Sequence, residues 1–387
     1  MNNNLIEQLE SLALFFTVKQ DPVIASLIGA LKAREQSQDT LSAEALFYHN
    51  LLESGYADDW SGYIYNLVRY NDNIWAKSIA KKIDLPRQVK EQAKKELKIL
   101  EFLAKQTSHT LFGNGAFVWG SKNQKSFDYD ALAKDIGGKG FGIYARYDAF
   151  VFEEKNLAPI PNPPQIKLKS LIGYHSQKQE IINNTKAFIE GKPANNVLLA
   201  GDRGSGKSST VCGIFDMFRG RIKLVELPLV NIKNITYLIN LLQDLPHRFI
   251  IFLDDLVVDK NNPQAYYPLK AALEGSFLNP KTNTLIYATS NRRHLVKQSF
   301  KDREDEVHKS EGLEDALALS DRFGLTVLFY NLNKDEYLEF VSQLAKRHNI
   351  EVNEKLLKDA EAWAIAKAAR SPRTAAQFIN MVMSSAD

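Results

Sequence analysis

One octapeptide constrains this chain more than any other stretch. Gly201-Asp202-Arg203-Gly204-Ser205-Gly206-Lys207-Ser208 fits the pattern G-x-x-x-x-G-K-[ST]. An apolar run, Asn196 to Ala200 (NVLLA), stands immediately before it, and Ser208 to Met217 can form a helix immediately after it. Glycines let the backbone curl so that several N–H groups point inward at an anion. The helix opening near Lys207 adds the positive end of its dipole. This strand–loop–helix geometry is a phosphate cup. Lys207 is expected to reach the β- and γ-phosphates of a nucleotide, and the Ser208 hydroxyl to ligate Mg²⁺. The eight residues Gly201, Asp202, Arg203, Gly204, Ser205, Gly206, Lys207 and Ser208, with Ser209 behind them, form the candidate nucleotide-binding set.

Other apolar runs set the context of the cup. Ile222 to Leu227 (IKLVEL), Phe249 to Leu253 (FIIFL), Thr284 to Ala288 (TLIYA) and Leu325 to Tyr330 (LTVLFY) alternate with helix-length segments. With NVLLA they read as five buried strands of a parallel sheet with crossover helices. FIIFL runs directly into Asp254-Asp255. Two carboxylates at a strand's carboxyl end lie at the edge where open α/β sheets bind ligands. Asp254 is the expected Mg²⁺-associated residue, and Asp255 the candidate for polarising an attacking water. The competing reading of such a pair is a turn or a helix N-cap.

The remainder is ordinary in composition. In 387 residues there are 49 Lys plus Arg against 46 Asp plus Glu, a net charge of +3. That excludes a polycation and an acidic tail, though local patches can still meet nucleic acid. The single cysteine, Cys212, excludes an internal disulfide framework and a cysteine-built zinc site; it reads as a small buried hydrophobe. Apolar runs are about five to seven residues long, far short of the roughly 20 that a membrane span needs. MNNNLIEQLE lacks the features of a signal peptide, so a cytoplasmic protein without membrane contact is expected.

Before residue 157 the pattern is mostly helical. Leu5 to Thr17, Ile24 to Arg34, Ala43 to Leu52, Gly62 to Tyr70 and Arg87 to Lys105 carry apolar residues at three- and four-residue steps. In the last of these, Ile99, Leu100, Phe102 and Leu103 are expected to face a core. Gly142 to Phe152 (GIYARYDAFVF) alternates as a strand does, so a small β element is expected there. Gly137 to Gly142 (GGKGFG) fits no nucleotide fingerprint and reads as a loop. LAPIPNPP, from Leu157 to Pro164, places four prolines in eight residues, which suits an extended linker. The expected organisation is a mostly helical domain with a small β element over 1–156, a linker over 157–169, a nucleotide-binding core over 170–332 and a helical subdomain over 333–387. Ser371-Pro372 gives the last part a helix start signal.

With these motifs in place, the chain from Ser170 to Asp387 resembles an AAA+ ATPase. TLIYATSN (Thr284 to Asn291) looks like the strand that ends in the sensor 1 polar residue, with Asn291 the best match and Ser290 and Thr289 close alternatives. LSDRFG (Leu319 to Gly324) looks like the arginine-finger segment, which makes Arg322 the finger. RSPRTAAQF (Arg370 to Phe378) looks like the lid helix that carries the sensor 2 arginine, here Arg373. LIGY (Leu171 to Tyr174) resembles the segment that packs near adenine and brings Ile172 to the nucleotide. The resemblance implies a P-loop NTPase α/β fold, a parallel five-stranded sheet with a C-terminal helical lid. It also implies ATP and Mg²⁺ as ligands and catalytic roles for Asp255, Asn291, Arg322 and Arg373. One departure is the pair Asp254-Asp255, where many AAA+ proteins carry Asp-Glu. The combination LEGSF, YATSNRRH and LSDRFG is similar to a bacterial family of stand-alone AAA+ proteins whose role is largely unassigned.

Three loads fit this engine. One is an oligomeric ATPase switch that remodels a protein or nucleoprotein partner. The second is a nucleic-acid-binding ATPase of initiator or helicase-loader type, using Arg292, Arg293 and His294 or Lys90, Lys94, Lys95 and Lys98. The third is an ATP-sensing module with little turnover. The bland counterparts are a solvated helix face for the lysines and core packing for Ile235, Leu238, Ile239 and Leu242. For the charged Lys301 to Asp315 segment, the plain reading is a surface loop.

Overall fold

The computed structural model describes every residue except 1, 37–38, 114–117, 121–124, 258–265, 279–281, 292–318 and 385–387. Arg292, Arg293, His294 and the Lys301 to Asp315 segment lie outside the described residues. The chain divides into two compact units, 1–146 with 244–246, and 147–243 with 247–387.

In the second unit every expected apolar run is a strand. These are β3 (Val197–Gly201), β4 (Lys223–Glu226), β5 (Phe249–Leu253), β6 (Thr284–Ser290) and β7 (Leu325–Phe329). They pair in parallel in the order β4-β5-β6-β3-β7. Every residue of β3, β5 and β6 is buried, because helices must cover both faces of a parallel sheet. Val197, Leu199, Ile250, Phe252, Leu285 and Tyr287 form one core with Ile181 and Phe188 of α10 (His175–Ile189) and with Val211, Ile214 and Phe215 of α11 (Lys207–Met217). The alternating residues Leu198, Ile251, Leu253 and Ile286 are buried as well.

The sheet has seven strands rather than five. β1 (Ala149–Glu153) and β2 (Asn156–Pro159) form an antiparallel hairpin, and β1 pairs in parallel with β4. Two expectations change as a result. The β element expected in the N-terminal domain is the edge of this sheet, and Leu157 to Pro159 of the supposed linker lie in its outermost strand. An edge strand tolerates proline because one side of its ladder needs no partner. The strand also starts later than the alternation suggested, since Gly142–Arg146 is a short helix. The GGKGFG loop is helical through Lys139.

The lid is three helices, α14 (Lys334–Arg347), α15 (Glu354–Ala366) and α16 (Pro372–Ser384). Asn333 and Glu336 close a capping box on α14. The Ser371 Oγ accepts from the Thr374 N–H at 3.2 Å, so the Ser-Pro pair does start a helix. Tyr337, Val341, Phe378 and Ile379 form the lid's own core.

The first unit is helical. The expected helix over Leu5 to Thr17 stops at Glu10, and a 3-10 turn follows at Phe16–Gln20. The cause is Glu96 of α6 (Arg87–Ala104), which is 1% exposed. Its carboxylate accepts from the N–H groups of Ala13, Leu14 and Phe15 at 2.9 to 3.1 Å. Those amides cannot serve a helix and the carboxylate together. In α6, Leu97, Leu100 and Leu103 are core, whereas Phe102, expected inside, is 39% exposed. No helix among the described residues is long and apolar enough to cross a membrane.

Glu96→Ala leaves the buried Phe15 N–H and the part-buried Ala13 and Leu14 N–H groups without their acceptor. It is expected to lower stability by about 3 kcal/mol, with Glu96→Gln losing less, read as shifts of the urea midpoint.

Candidate functional site

The site grows from the carboxyl edge of the sheet. β3 ends at Gly201, where φ is +144° and an added Cβ would lie 1.9 Å from the Phe329 carbonyl oxygen of β7. Only glycine lets the chain leave the sheet so close to its neighbour. The loop then folds back on Lys207, the first residue of α11, which is 5% exposed. Its ammonium donates to the carbonyls of Gly201 (3.0 Å) and Asp202 (2.8 Å) and to the Asn291 Oδ1 (2.9 Å). Burial pulls the Lys207 pKa below that of an ordinary lysine; Asp202, Asp255 and Asp254 oppose this and Arg373 adds to it.

β5 delivers the two aspartates opposite the loop. The Ser208 hydroxyl donates to Asp254 Oδ1 at 2.6 Å, and the Thr289 hydroxyl donates to the same oxygen at 2.6 Å. Asp255 takes a left-handed conformation, φ +53°. Its N–H donates to Thr289 Oγ1 at 2.8 Å, and its carboxylate accepts from the Asn291 Nδ2. One amide side chain therefore touches both the buried ammonium and the second carboxylate.

A cavity of about 600 Å³ joins these groups. Arg203, Gly204, Ser205, Gly206, Lys207, Ser208 and Ser209 line it, with Asp254, Asp255, Asn291, Ile172 and Arg373. Of the expected set, Gly201 and Asp202 are not among the lining residues, and their carbonyls accept from the Lys207 ammonium instead. Arg373 reaches the cavity from the first turn of α16, and its N–H donates to the Gly204 carbonyl at 3.2 Å. The contact is close: a Cβ on Gly204, at φ +81°, would lie 2.9 Å from the Arg373 Cβ.

Arg322 does not line the cavity. Its Nε donates to the Glu274 carboxylate at 2.6 Å, on α13 (Tyr267–Leu278). Cys212 is only partly buried.

Sequence reasoning missed several lining residues. Lys178, 7% exposed, donates from Nζ to the Leu171 carbonyl, and Phe340, Leu344 and Ala376 come from the lid. Nothing local marks them, because their place follows from how lid and sheet fold together. Thr289 was one of three neighbouring candidates in a strand, and alternation separates them: Thr289 and Asn291 share the cavity side, while Ser290 is 0% exposed and donates to the Leu256 carbonyl.

The donor set suits a triphosphate with a hard cation. The loop residues Arg203 to Ser209 and the Lys207 ammonium line one part of the cavity, and the Ser208 hydroxyl and Asp254 carboxylate, in contact, offer oxygens. No cluster of three or more metal-ligating His, Cys, Asp or Glu occurs among the described residues.

The topology, the phosphate loop and the helical lid together make this unit an AAA+ P-loop NTPase fold. Among solved structures, a RuvB variant from Thermotoga maritima is similar at 16% identity over 57% of this chain and 65% of its own, with a TM-score of 0.38. DnaA from Aquifex aeolicus bound to AMPPCP is similar at 14% identity over 57% of this chain and 65% of its own, TM-score 0.41. The FIGL-1 AAA domain in complex with ADP shows 14% identity over 52% of this chain and 68% of its own, TM-score 0.36. The chain thus spans just under two thirds of the RuvB and DnaA structures. No curated protein matches the sequence. A family model matches residues 145–386, more than half of the chain, and the protein belongs to that family, described as "Protein of unknown function (DUF815)".

Proposed function

We propose that this protein binds ATP with Mg²⁺ in the cavity at the sheet's carboxyl edge and hydrolyses it, driving an oligomeric switch on a protein or nucleoprotein partner. The carrying observation is the convergence of Lys207, Ser208, Asp254, Asp255 and Asn291 through hydrogen bonds that link the phosphate loop to β5 and β6.

In this reading the loop amides and Lys207 hold the phosphates, and Ile172 and the Gly173 backbone bound the base end of the cavity. Ser208 and Asp254 would hold the Mg²⁺, which neutralises phosphate charge. Asp255 accepts a hydrogen bond from the attacking water and Asn291 orients it. The water oxygen bonds to the γ-phosphorus, the bond to the β,γ-bridging oxygen breaks, and ADP and phosphate leave. Arg373 lines the cavity from the first turn of α16, so contact with the nucleotide biases the lid's position. Arg322, outside its own cavity, is assigned to a neighbouring subunit's site, where it neutralises charge on the transferred phosphoryl. Its Glu274 partner holds it until then.

Lys207→Ala is expected to abolish most affinity for a fluorescent ATP analogue, since the phosphates lose their buried cation; wild-type titration curves for the variant would end the assignment. Asp255→Asn is expected to keep binding and to lower hydrolysis by about 10² to 10⁴-fold; equal turnover would move the base elsewhere. Arg322→Ala is expected to lose turnover while keeping binding. Mixing it with Asp255→Asn should restore part of the activity, because one subunit then supplies the finger and its neighbour the carboxylate. Absence of rescue would place Arg322 outside the reaction.

A further inference from the structure

We infer that Thr289 is a positioning residue that sets both aspartates through one hydroxyl. The inference rests on the ATPase reading and names a group that the reading does not use. Thr289 lies in β6, the strand between β3 and β5, and is 2% exposed. Its Oγ1 donates to the Asp254 Oδ1 at 2.6 Å and accepts from the Asp255 N–H at 2.8 Å. Its carbonyl accepts from the Leu256 N–H at 2.7 Å. Three consecutive residues of the turn after β5 are thus tied to a single residue of the next strand.

The conformation of that turn gives the tie its purpose. Asp255 sits at φ +53°, a region that costs a non-glycine residue about 1 kcal/mol or more unless its surroundings over-determine it. The Asp255 N–H donates to the Thr289 hydroxyl at 2.8 Å and, at the longer 3.1 Å, to the Asp254 Oδ1 that the same hydroxyl holds, and the Asp255 carboxylate reaches Asn291. The same hydroxyl proton occupies one direction on Asp254 Oδ1, and Ser208 occupies another. The unshared oxygen of Asp254 is thereby left pointing by geometry rather than by chance rotation. Donors that orient a ligating carboxylate influence metal affinity and activity by roughly 10- to 100-fold. A merely structural threonine in a buried strand would be replaceable by valine, which has nearly the same shape and a stronger strand preference.

The test compares Thr289→Val, which removes the hydroxyl, with Thr289→Ser, which keeps it. For Thr289→Val we expect kcat to fall about 10- to 100-fold, the Mg²⁺ concentration for half-maximal turnover to rise, and KM for ATP and the unfolding temperature to change little. Thr289→Ser should recover most of kcat. Wild-type kcat and Mg²⁺ dependence in Thr289→Val would overturn the proposal, as would equal losses in the valine and serine variants. If valine does not fold there, Thr289→Ala takes its place with the same readouts. Should the wild-type protein hydrolyse no ATP, the ATPase reading fails by itself. The crystal structure of Thr289→Val then decides this one: Asp255 leaving positive φ supports the clamp, and an unchanged Asp254-Asp255 turn overturns it.

Discussion

A buried ammonium organises the second unit. Lys207 is almost fully enclosed, and a charge so placed must be met by dipoles or counter-charges. The carbonyls of Gly201 and Asp202 and the amide of Asn291 meet it. These partners come from the end of β3 and the end of β6. The loop's curl, the strand order and the position of the acidic pair all serve this one group. Asn291 then passes the connection to Asp255, so the cation and the second carboxylate are not independent. Of the three groups that meet the ammonium, the Asn291 amide is the one that also holds a carboxylate.

The phosphate loop and the parallel strands were legible in sequence because their signals are local. Eight residues specify the loop, and fully buried strands read as continuous apolar runs. The site residues on either side of them were legible for the same reason: Asp254 and Asp255 follow a run, and Asn291 ends one. The alternation in Gly142 to Phe152 marks a small β element, but not that its hairpin belongs to the second unit's sheet. Which sheet a short strand joins depends on pairing with β4, some 70 residues onward, and no local signal carries that. The break after Glu10 was hidden for a similar reason. Its cause is Glu96, more than 80 residues away, whose carboxylate takes amides that a helix would have used.

The lining residues from the lid illustrate the same limit. Phe340 and Leu344 look like ordinary members of an amphipathic helix. They border the cavity in a lid whose last helix, α16, is fastened to the loop, the Arg373 amide donating to the Gly204 carbonyl. Gly204 is required at that point, since a side chain would collide with Arg373. Gly204 therefore has two physical duties, taking a left-handed backbone at φ +81° and admitting the first turn of α16.

The outermost strand has a consequence for how copies of this protein can associate. β2 is four residues long, ends at Pro159, and is followed by Pro161, Pro163 and Pro164. So short and proline-rich a border offers few amide donors to an incoming strand. It blocks end-to-end sheet polymerisation on that side, the route by which exposed β edges aggregate. An association on that flank would rest on side-chain surfaces rather than on a shared backbone ladder.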